Sequence, residues 1–103
     1  MRALSRLRRL ARRAYKQLQL NKDVIVHWFP NKKEFDDLHG LIDYNGRRIM
    51  LAKLSCKGKA YTWRFLRSVL AHEIAHNFTG YQHTARFKRI HRRISALLRK
   101  LDS

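Results

Sequence analysis

Residues 72–76 read His72-Glu73-Ile74-Ala75-His76, and this stretch decides the fold because it lies within a long segment of helical periodicity. No proline or glycine interrupts residues 61–78, and their apolar side chains recur at helical spacing. So much apolar surface predicts a central helix. Two histidines four residues apart then project from one face, one turn apart, and can bind the same metal ion.

Glu73 lies beside this histidine pair. There it can contact a metal-bound water without binding the metal itself, as the general base of a zinc hydrolase does. The competing interpretation is a chance match that leaves two histidines packed in the core. Metal binding is favoured, because burying two imidazoles and a carboxylate without a ligand is costly. The cofactor predicted from the motif is Zn²⁺.

A third metal ligand is expected, since a catalytic zinc usually has three protein ligands and one position for water. The sequence after Glu73 contains no glutamate, so the downstream candidates are His83, His91 and Asp102.

His83 is favoured because of its place between two helical patterns. Thr79-Gly80 ends the motif helix and Thr84 begins the next pattern, so His83 can fold back onto the histidine pair. His91 is two turns further along and is expected to face solvent or phosphate. Asp102 is expected to lie in a fraying terminus.

Residues 72–87 read HEIAHNFTGYQHTARF and resemble the signature of SprT-like metallopeptidases and the related WLM group: HExxH, a short loop, a third histidine, then a phenylalanine four residues on. The resemblance implies three zinc ligands, His72, His76 and His83. It also implies that Glu73 is the catalytic acid/base and that Phe87 packs the second helix against the first. The metzincin pattern fits less well, because there is one extra residue before the glycine and no downstream methionine.

The remaining pattern predicts a single α+β domain over residues 1–103, since about a hundred residues suffice for one core. The expected order is an N-terminal helix, a three-stranded antiparallel sheet, the HExxH helix and a C-terminal helix, a minimal zincin-like core. Hydrophobic periodicity and turn residues predict a helix over 2–20, a strand over 23–29, a turn or loop helix over 31–38, strands over 40–44 and 47–52, and a helix over 84–101.

Asn45-Gly46 separates the last two strands, and this dipeptide is typical of a type I′ hairpin turn. The two strands should therefore pair antiparallel. In zinc peptidases an extended substrate commonly adds to an exposed sheet edge near the metal. Either hairpin strand can supply that edge; the alternative is a hairpin with a structural role only.

Charge is the second strong signal, because 24 Lys and Arg against 7 Asp and Glu give a net charge of +17. Arginines crowd the first and last helices, where they suit phosphate contacts. A nucleic acid partner is predicted, with DNA the first choice; a basic surface that only contacts solvent is the alternative. The residues expected to bind nucleic acid are Arg8, Arg9, Arg12, Arg13, Arg89, Arg92 and Arg93.

Cellular placement is predicted from the same composition. Cys56 is the single cysteine and cannot form an internal disulfide, which favours a reducing intracellular compartment, cytoplasmic or DNA-associated. The alternative is mitochondrial import, since residues 1–19 are rich in arginine and free of acids. No membrane span is expected, and a monomer is predicted.

These observations together predict a zinc-dependent endopeptidase with a protein substrate, in which Glu73 activates a zinc-bound water. The SprT-like resemblance implies substrates that are bound or cross-linked to DNA. The alternative is a non-catalytic, basic nucleic-acid-binding protein with a structural zinc site. A nucleic acid hydrolase is disfavoured, because phosphoryl-transfer sites usually gather several carboxylates around two metals.

Overall fold

The computed structural model describes residues 2–20, 23–30, 38–43, 45–55 and 57–102. Cys56 and most of the turn predicted over 31–38 lie outside these ranges. The elements, in chain order, are α1 (Ala3–Gln17), β1 (Ile25–Trp28), β2 (Gly40–Ile42), β3 (Arg48–Leu51), α2 (Trp63–Thr79) and α3 (Ala85–Asp102). The α+β class and the order of the elements are confirmed.

The sheet has the order β1-β3-β2 and is mixed, which corrects the expected antiparallel sheet. β2 and β3 pair antiparallel as the hairpin predicts, with Leu41 opposite Met50. β1 instead pairs parallel to β3, with Val26 opposite Ile49. A short turn forces neighbouring strands to run antiparallel, whereas the longer connection after β1 lets the chain return to the same end of the sheet.

One core joins the sheet to all three helices. α1 packs on β1 and on the other two helices, while α2 lies between the sheet and α3. Each helix contributes an apolar stripe, as its periodicity predicts. The buried apolar residues include Leu7, Leu10, Ala11, Ala14 and Tyr15 of α1, Val26, Ile42, Ile49 and Leu51 of the sheet, Leu66, Leu70, Ala71, Ile74 and Ala75 of α2, and Phe87, Ile94 and Leu98 of α3.

The hairpin turn includes Tyr44, which lies outside the described residues, so the predicted type I′ turn stays a prediction. The Gly46 N–H donates to the Asp43 carbonyl over 3.0 Å, and Gly46 has a φ of 74°. Glycine adopts this left-handed conformation without steric cost.

Tyr15 ties α1 to both the hairpin and α2. Its hydroxyl donates to the Gly46 carbonyl over 2.7 Å and accepts a hydrogen bond from Asn77 Nδ2 over 2.9 Å. Burial raises the pKa of Tyr15 to about 12, so the hydroxyl keeps its proton at neutral pH. The first helix is therefore joined by hydrogen bonds to the two elements that form the site.

Asp102 does not fray, contrary to the prediction, because three side chains hold its carboxylate. Arg6 contacts both oxygens, at 3.0 and 3.1 Å, while Trp63 Nε1 and Arg67 donate to Oδ2 at 2.7 and 3.1 Å. The Arg6 guanidinium also lies 4.0 Å from the centre of the Trp63 ring. These contacts connect the ends of α1 and α3 to the start of α2.

None of the described helices has the length and apolar character needed to cross a membrane.

Replacing Asp102 by asparagine should lower the free energy of unfolding by about 1–3 kcal/mol at pH 7. Burial opposes ionisation of Asp102, but the hydrogen bonds from Trp63, Arg6 and Arg67 outweigh it and lower the pKa. A carboxyl with a lowered folded-state pKa stabilises the protein above its unfolded pKa of about 3.9 and loses that contribution as pH falls through the folded value. Urea unfolding at pH 7 and pH 3, in chelator, measures both effects.

The matched control is Asp23→Asn, since Asp23 is exposed and no described side chain bonds to it. It should leave stability unchanged at both pH values. An equal loss in Asp102→Asn at pH 7 and pH 3 would show that the charge of Asp102 has no part in the effect.

Candidate metal centre

α2 presents His72, Glu73 and His76 from one central helix. The helix begins at Thr62, whose hydroxyl accepts the Phe65 N–H over 3.1 Å, as a helix N-cap does. It continues without a break through the motif, so the two histidines project one turn apart. Their side chains are half-buried, whereas the carboxyl-bearing side chain between them is buried.

The chain reverses between α2 and α3, and this reversal brings His83 back to the motif. Gly80 has a φ of 73°, which ends α2, and its N–H donates to the His76 carbonyl over 3.0 Å. α3 then begins after Thr84, whose hydroxyl accepts the Phe87 N–H over 3.2 Å. His83 lies on the connection, as the sequence predicts, and its Nε2 is 3.1 Å from Nε2 of His72.

The three imidazoles fit a single metal ion. One nitrogen from each of His72, His76 and His83 lies within 4.8 Å of the others. Two nitrogens bound to one tetrahedral zinc at about 2.0–2.1 Å are roughly 3.3 Å apart, close to the observed separation of His72 from His83. Histidine nitrogen is a preferred ligand of zinc and of several other transition metals. Geometry and donor chemistry both suit a metal ion.

A backbone carbonyl orients one of these ligands. His76 Nδ1 lies 2.6 Å from the Gly80 carbonyl oxygen, which can only accept, so Nδ1 carries the proton. Nε2 of His76 is then the unprotonated nitrogen available to a metal. A hydrogen bond that fixes the tautomer and ring orientation is the usual support of a metal-binding histidine.

Phe87 forms the floor of the histidine cluster. It is 2% exposed, and its ring centre lies 4.9, 4.6 and 4.9 Å from those of His72, His76 and His83. The side chain therefore packs α3 against the motif, as the resemblance implies. It also restricts the rotation of all three imidazoles.

The surroundings of His72 and His76 favour their neutral forms. Burial, followed by repulsion from His76, His91 and His83, lowers the pKa of His72 to about 4. Burial also lowers the pKa of His76. His72 and His76 are thus in the unprotonated form that binds metals at neutral pH.

Glu73 is a buried carboxyl without a cationic partner. Its side chain is 6% exposed, and burial raises its pKa to about 7. Among the described residues no hydrogen bond or salt bridge engages it, and it lines a cavity of about 290 Å³ together with His72 and His39. A carboxyl whose pKa lies near neutrality can both take up and release a proton, as a general base requires.

Gly40 is part of the site and was missed from the sequence. A Cβ at this position would lie 2.6 Å from Val69 Cγ1 and 2.9 Å from Glu73 Oε2, so only glycine lets β2 approach the motif helix this closely. A glycine at the start of a predicted strand can mark such an approach, and that was the available signal.

His91 and Asp102, the other two candidate ligands, lie outside the metal cluster. His91 is half-buried and lines the cavity between α2 and α3; its ring centre is 5.2 Å from that of His72, and its Nε2 is 3.3 Å from the Ser68 carbonyl. Asp102 is occupied by the arginines described above.

The arginines predicted to bind nucleic acid fall into several environments. All seven are exposed on α1 or α3. Arg8 Nε donates to the Val26 carbonyl over 2.9 Å, and Arg13 donates to the Leu101 carbonyl over 3.0 Å. Arg92 lines a cavity between α2 and α3.

The fold and the histidine cluster define a class: a small α+β protein with a candidate metal centre of the HExxH type. The sequence pattern of the SprT-like family matches residues 4–102, nearly the whole chain, and the protein belongs to this family. Members of the family are generally zinc metallopeptidase-like. The resemblance seen in the sequence is therefore confirmed. No curated protein and no solved structure matches the chain.

Replacing His83 by alanine should weaken metal binding by at least about tenfold, whereas His91→Ala should retain one metal ion per chain. His83 supplies one of the three clustered nitrogens and His91 does not. Metal content after dialysis and competition with a chromophoric chelator measure the affinity for zinc, with circular dichroism as the check on folding. Equal losses in the two variants would show that the ligand set is wrong.

Proposed function

We propose that this protein is a zinc-dependent endopeptidase that acts on proteins bound or cross-linked to DNA. The single observation that carries the peptidase proposal is the buried Glu73 carboxyl beside three imidazoles that suit one metal ion. A zinc ion held by His72, His76 and His83 would supply Lewis acidity, which acidifies a water molecule and polarises the scissile carbonyl.

Glu73 would move the protons of the reaction. Its carboxylate takes a proton from the attacking water and passes it to the leaving amine as the peptide bond breaks. Its pKa of about 7 suits both transfers near neutral pH. The Gly80 carbonyl orients His76, and Phe87 packs beneath the imidazoles. Both contacts keep the imidazoles aligned during the proton transfers.

β2 is the strand that we propose for binding the substrate. The Asp43 N–H donates to the Arg48 carbonyl of β3, and the N–H of Ala52, just after β3, donates to the His39 carbonyl. Alternation along β2 therefore directs the N–H and C=O groups of Gly40 and Ile42 to the opposite edge. No described strand pairs with that edge. The Ile42 carbonyl already accepts a hydrogen bond from the Tyr81 hydroxyl over 3.1 Å. The backbone of Gly40 thus remains for an extended peptide, directly beside the catalytic carboxyl.

Glu73→Gln should reduce cleavage of an unfolded protein by about 10²–10⁴-fold while zinc content stays near that of the wild type. Glutamine keeps the shape of the side chain but cannot accept the proton. Labelled casein, with and without DNA, is a suitable substrate for the assay.

The matched control is Asp23→Asn, an acid-to-amide change at an exposed position. It should retain wild-type cleavage. Zinc binding without cleavage by the wild type, on DNA or off it, would reject the peptidase proposal in favour of a structural zinc site in a nucleic-acid-binding protein.

The DNA part of the proposal rests on charge. The net charge is +17, and α3 carries an outward row of cations in addition to those that line its cavity. Members of the row are Arg86, Arg89, Arg93 and Lys100. Such rows contact phosphates, and the counterions released make binding strongly dependent on salt.

Neutralising Arg89 and Arg93 with glutamine should reduce the slope of log affinity against log salt by about 1.4 for single strands and about 1.8 for duplex. Fluorescence anisotropy of a labelled oligonucleotide between about 50 and 200 mM salt measures the slope. The Arg47→Gln/Arg48→Gln double variant, which carries the same charge change on the hairpin, is the control. A wild-type slope near zero would remove DNA from the proposal.

A further inference from the structure

A cavity of about 630 Å³ lies between α2 and α3, and positive side chains dominate its lining. Here it is called the cationic cleft. No acidic residue is among the described residues that line it. Its cations are Arg64, Arg67, Lys88, Arg92 and Arg99.

The cations of α3 divide between two faces of the helix. Lys88, Arg92 and Arg99 follow intervals of four and seven residues, which places them in one stripe along the cleft. The outward row of cations described above is centred on a different stripe, roughly 110° away around the helix at 3.6 residues per turn. The cleft and the outward row are therefore separate surfaces.

Most of the cleft cations lack a negative partner. Arg67 is neutralised in part by Asp102 at 3.1 Å. In the parts of the chain that the structure describes, none of Arg64, Lys88, Arg92 and Arg99 forms a salt bridge. Like charges gathered around one cavity repel each other, so a bound anion would be stabilised there.

The cleft is continuous with the candidate active site. Ser68 and His91 line both the cationic cleft and the smaller cavity that contains His72 and Glu73. A chain bound across the motif helix can therefore place a neighbouring residue in the cleft. The cleft is close enough to the scissile bond for an acidic side chain of the bound substrate to reach it.

We propose that the cationic cleft binds acidic side chains of the polypeptide substrate, so that cleavage is favoured near Asp and Glu. This inference rests on the proposed peptidase function and adds the substrate preference. A peptide is favoured over nucleic acid as the occupant, because the cavity has the size of a ligand pocket and opens beside the catalytic carboxyl. The outward row offers phosphates a separate surface.

The first experiment maps cleavage sites in a peptide library digested by the zinc-loaded wild type. We expect Asp or Glu to be enriched at a fixed position near the cut. In peptides that differ only by Glu or Gln there, kcat/KM should favour Glu by roughly tenfold. The Lys88→Gln/Arg92→Gln variant should lose most of this ratio, while Arg47→Gln/Arg48→Gln, with the same charge change outside the cleft, should keep it.

The second experiment measures binding without turnover. Zinc-loaded Glu73→Gln is titrated with a fluorescent Glu-containing peptide and with its Gln counterpart, in the presence and absence of the Lys88→Gln/Arg92→Gln change. Tighter binding of the Glu peptide that depends on Lys88 and Arg92 supports the cleft. This holds even if the wild type cleaves nothing, in which case the peptidase proposal alone fails.

Three results would overturn the inference. The first is cleavage without enrichment of acids, which leaves the peptidase proposal intact. The second is equal binding of the two peptides. In the third, an oligothymidylate displaces the peptide, and the Lys88→Gln/Arg92→Gln change lowers the affinity for the oligothymidylate as much as the affinity for the peptide. Nucleic acid would then be the occupant of the cleft.

Discussion

The reversal of the chain at Gly80 determines the position of the part of the site that follows α2. Because this glycine is left-handed, α2 ends one turn after His76, and α3 runs back along it. Three consequences follow from the one turn: His83 meets the motif, Phe87 lies beneath the imidazoles, and the Gly80 carbonyl holds His76. The packing of α3 on α2 also forms the cationic cleft. A residue with a Cβ at position 80 would be strained by its φ of 73° and would affect all of these features.

Most of the positive charge of the protein is not neutralised within the chain. The 24 basic and 7 acidic residues leave a net charge of +17. Asp102 serves Arg6 and Arg67 together and fixes the ends of two helices. The remaining cations increase the electrostatic repulsion of the folded state. Partners that carry negative charge, whether substrate or nucleic acid, would reduce that cost.

Features that depend on local sequence are predictable from it. The bounds of α2 and α3 follow hydrophobic periodicity to within two residues, and the positions of the two motif histidines follow from helix geometry alone. His83 was found because glycine and threonine mark a helix end and a helix start. The direction of β1 cannot be predicted from the sequence. Alternation of apolar and polar residues along a strand shows which side chains are buried but not which strand is the neighbour.

Long-range contacts account for the other errors. Asp102 looked like a frayed end, yet Arg6, 96 positions earlier in the chain, holds it. His91 has helical spacing that fits either face, and only the packing of α3 on α2 turns it towards His72. The same packing decides which cations of α3 enter the cleft. Such contacts are set by the tertiary fold, which no local pattern encodes.

The close approach of Gly40 to Glu73 has a mechanical consequence. Since no side chain separates the strand from the carboxylate, a displacement of β2 by a fraction of an ångström changes the room available to the Glu73 oxygen. In the proposed peptidase, docking a peptide on β2 and orienting Glu73 towards the attacking water would then be a single adjustment instead of two. A poorly placed polypeptide would leave Glu73 misdirected, so substrates would be discriminated by alignment rather than by affinity.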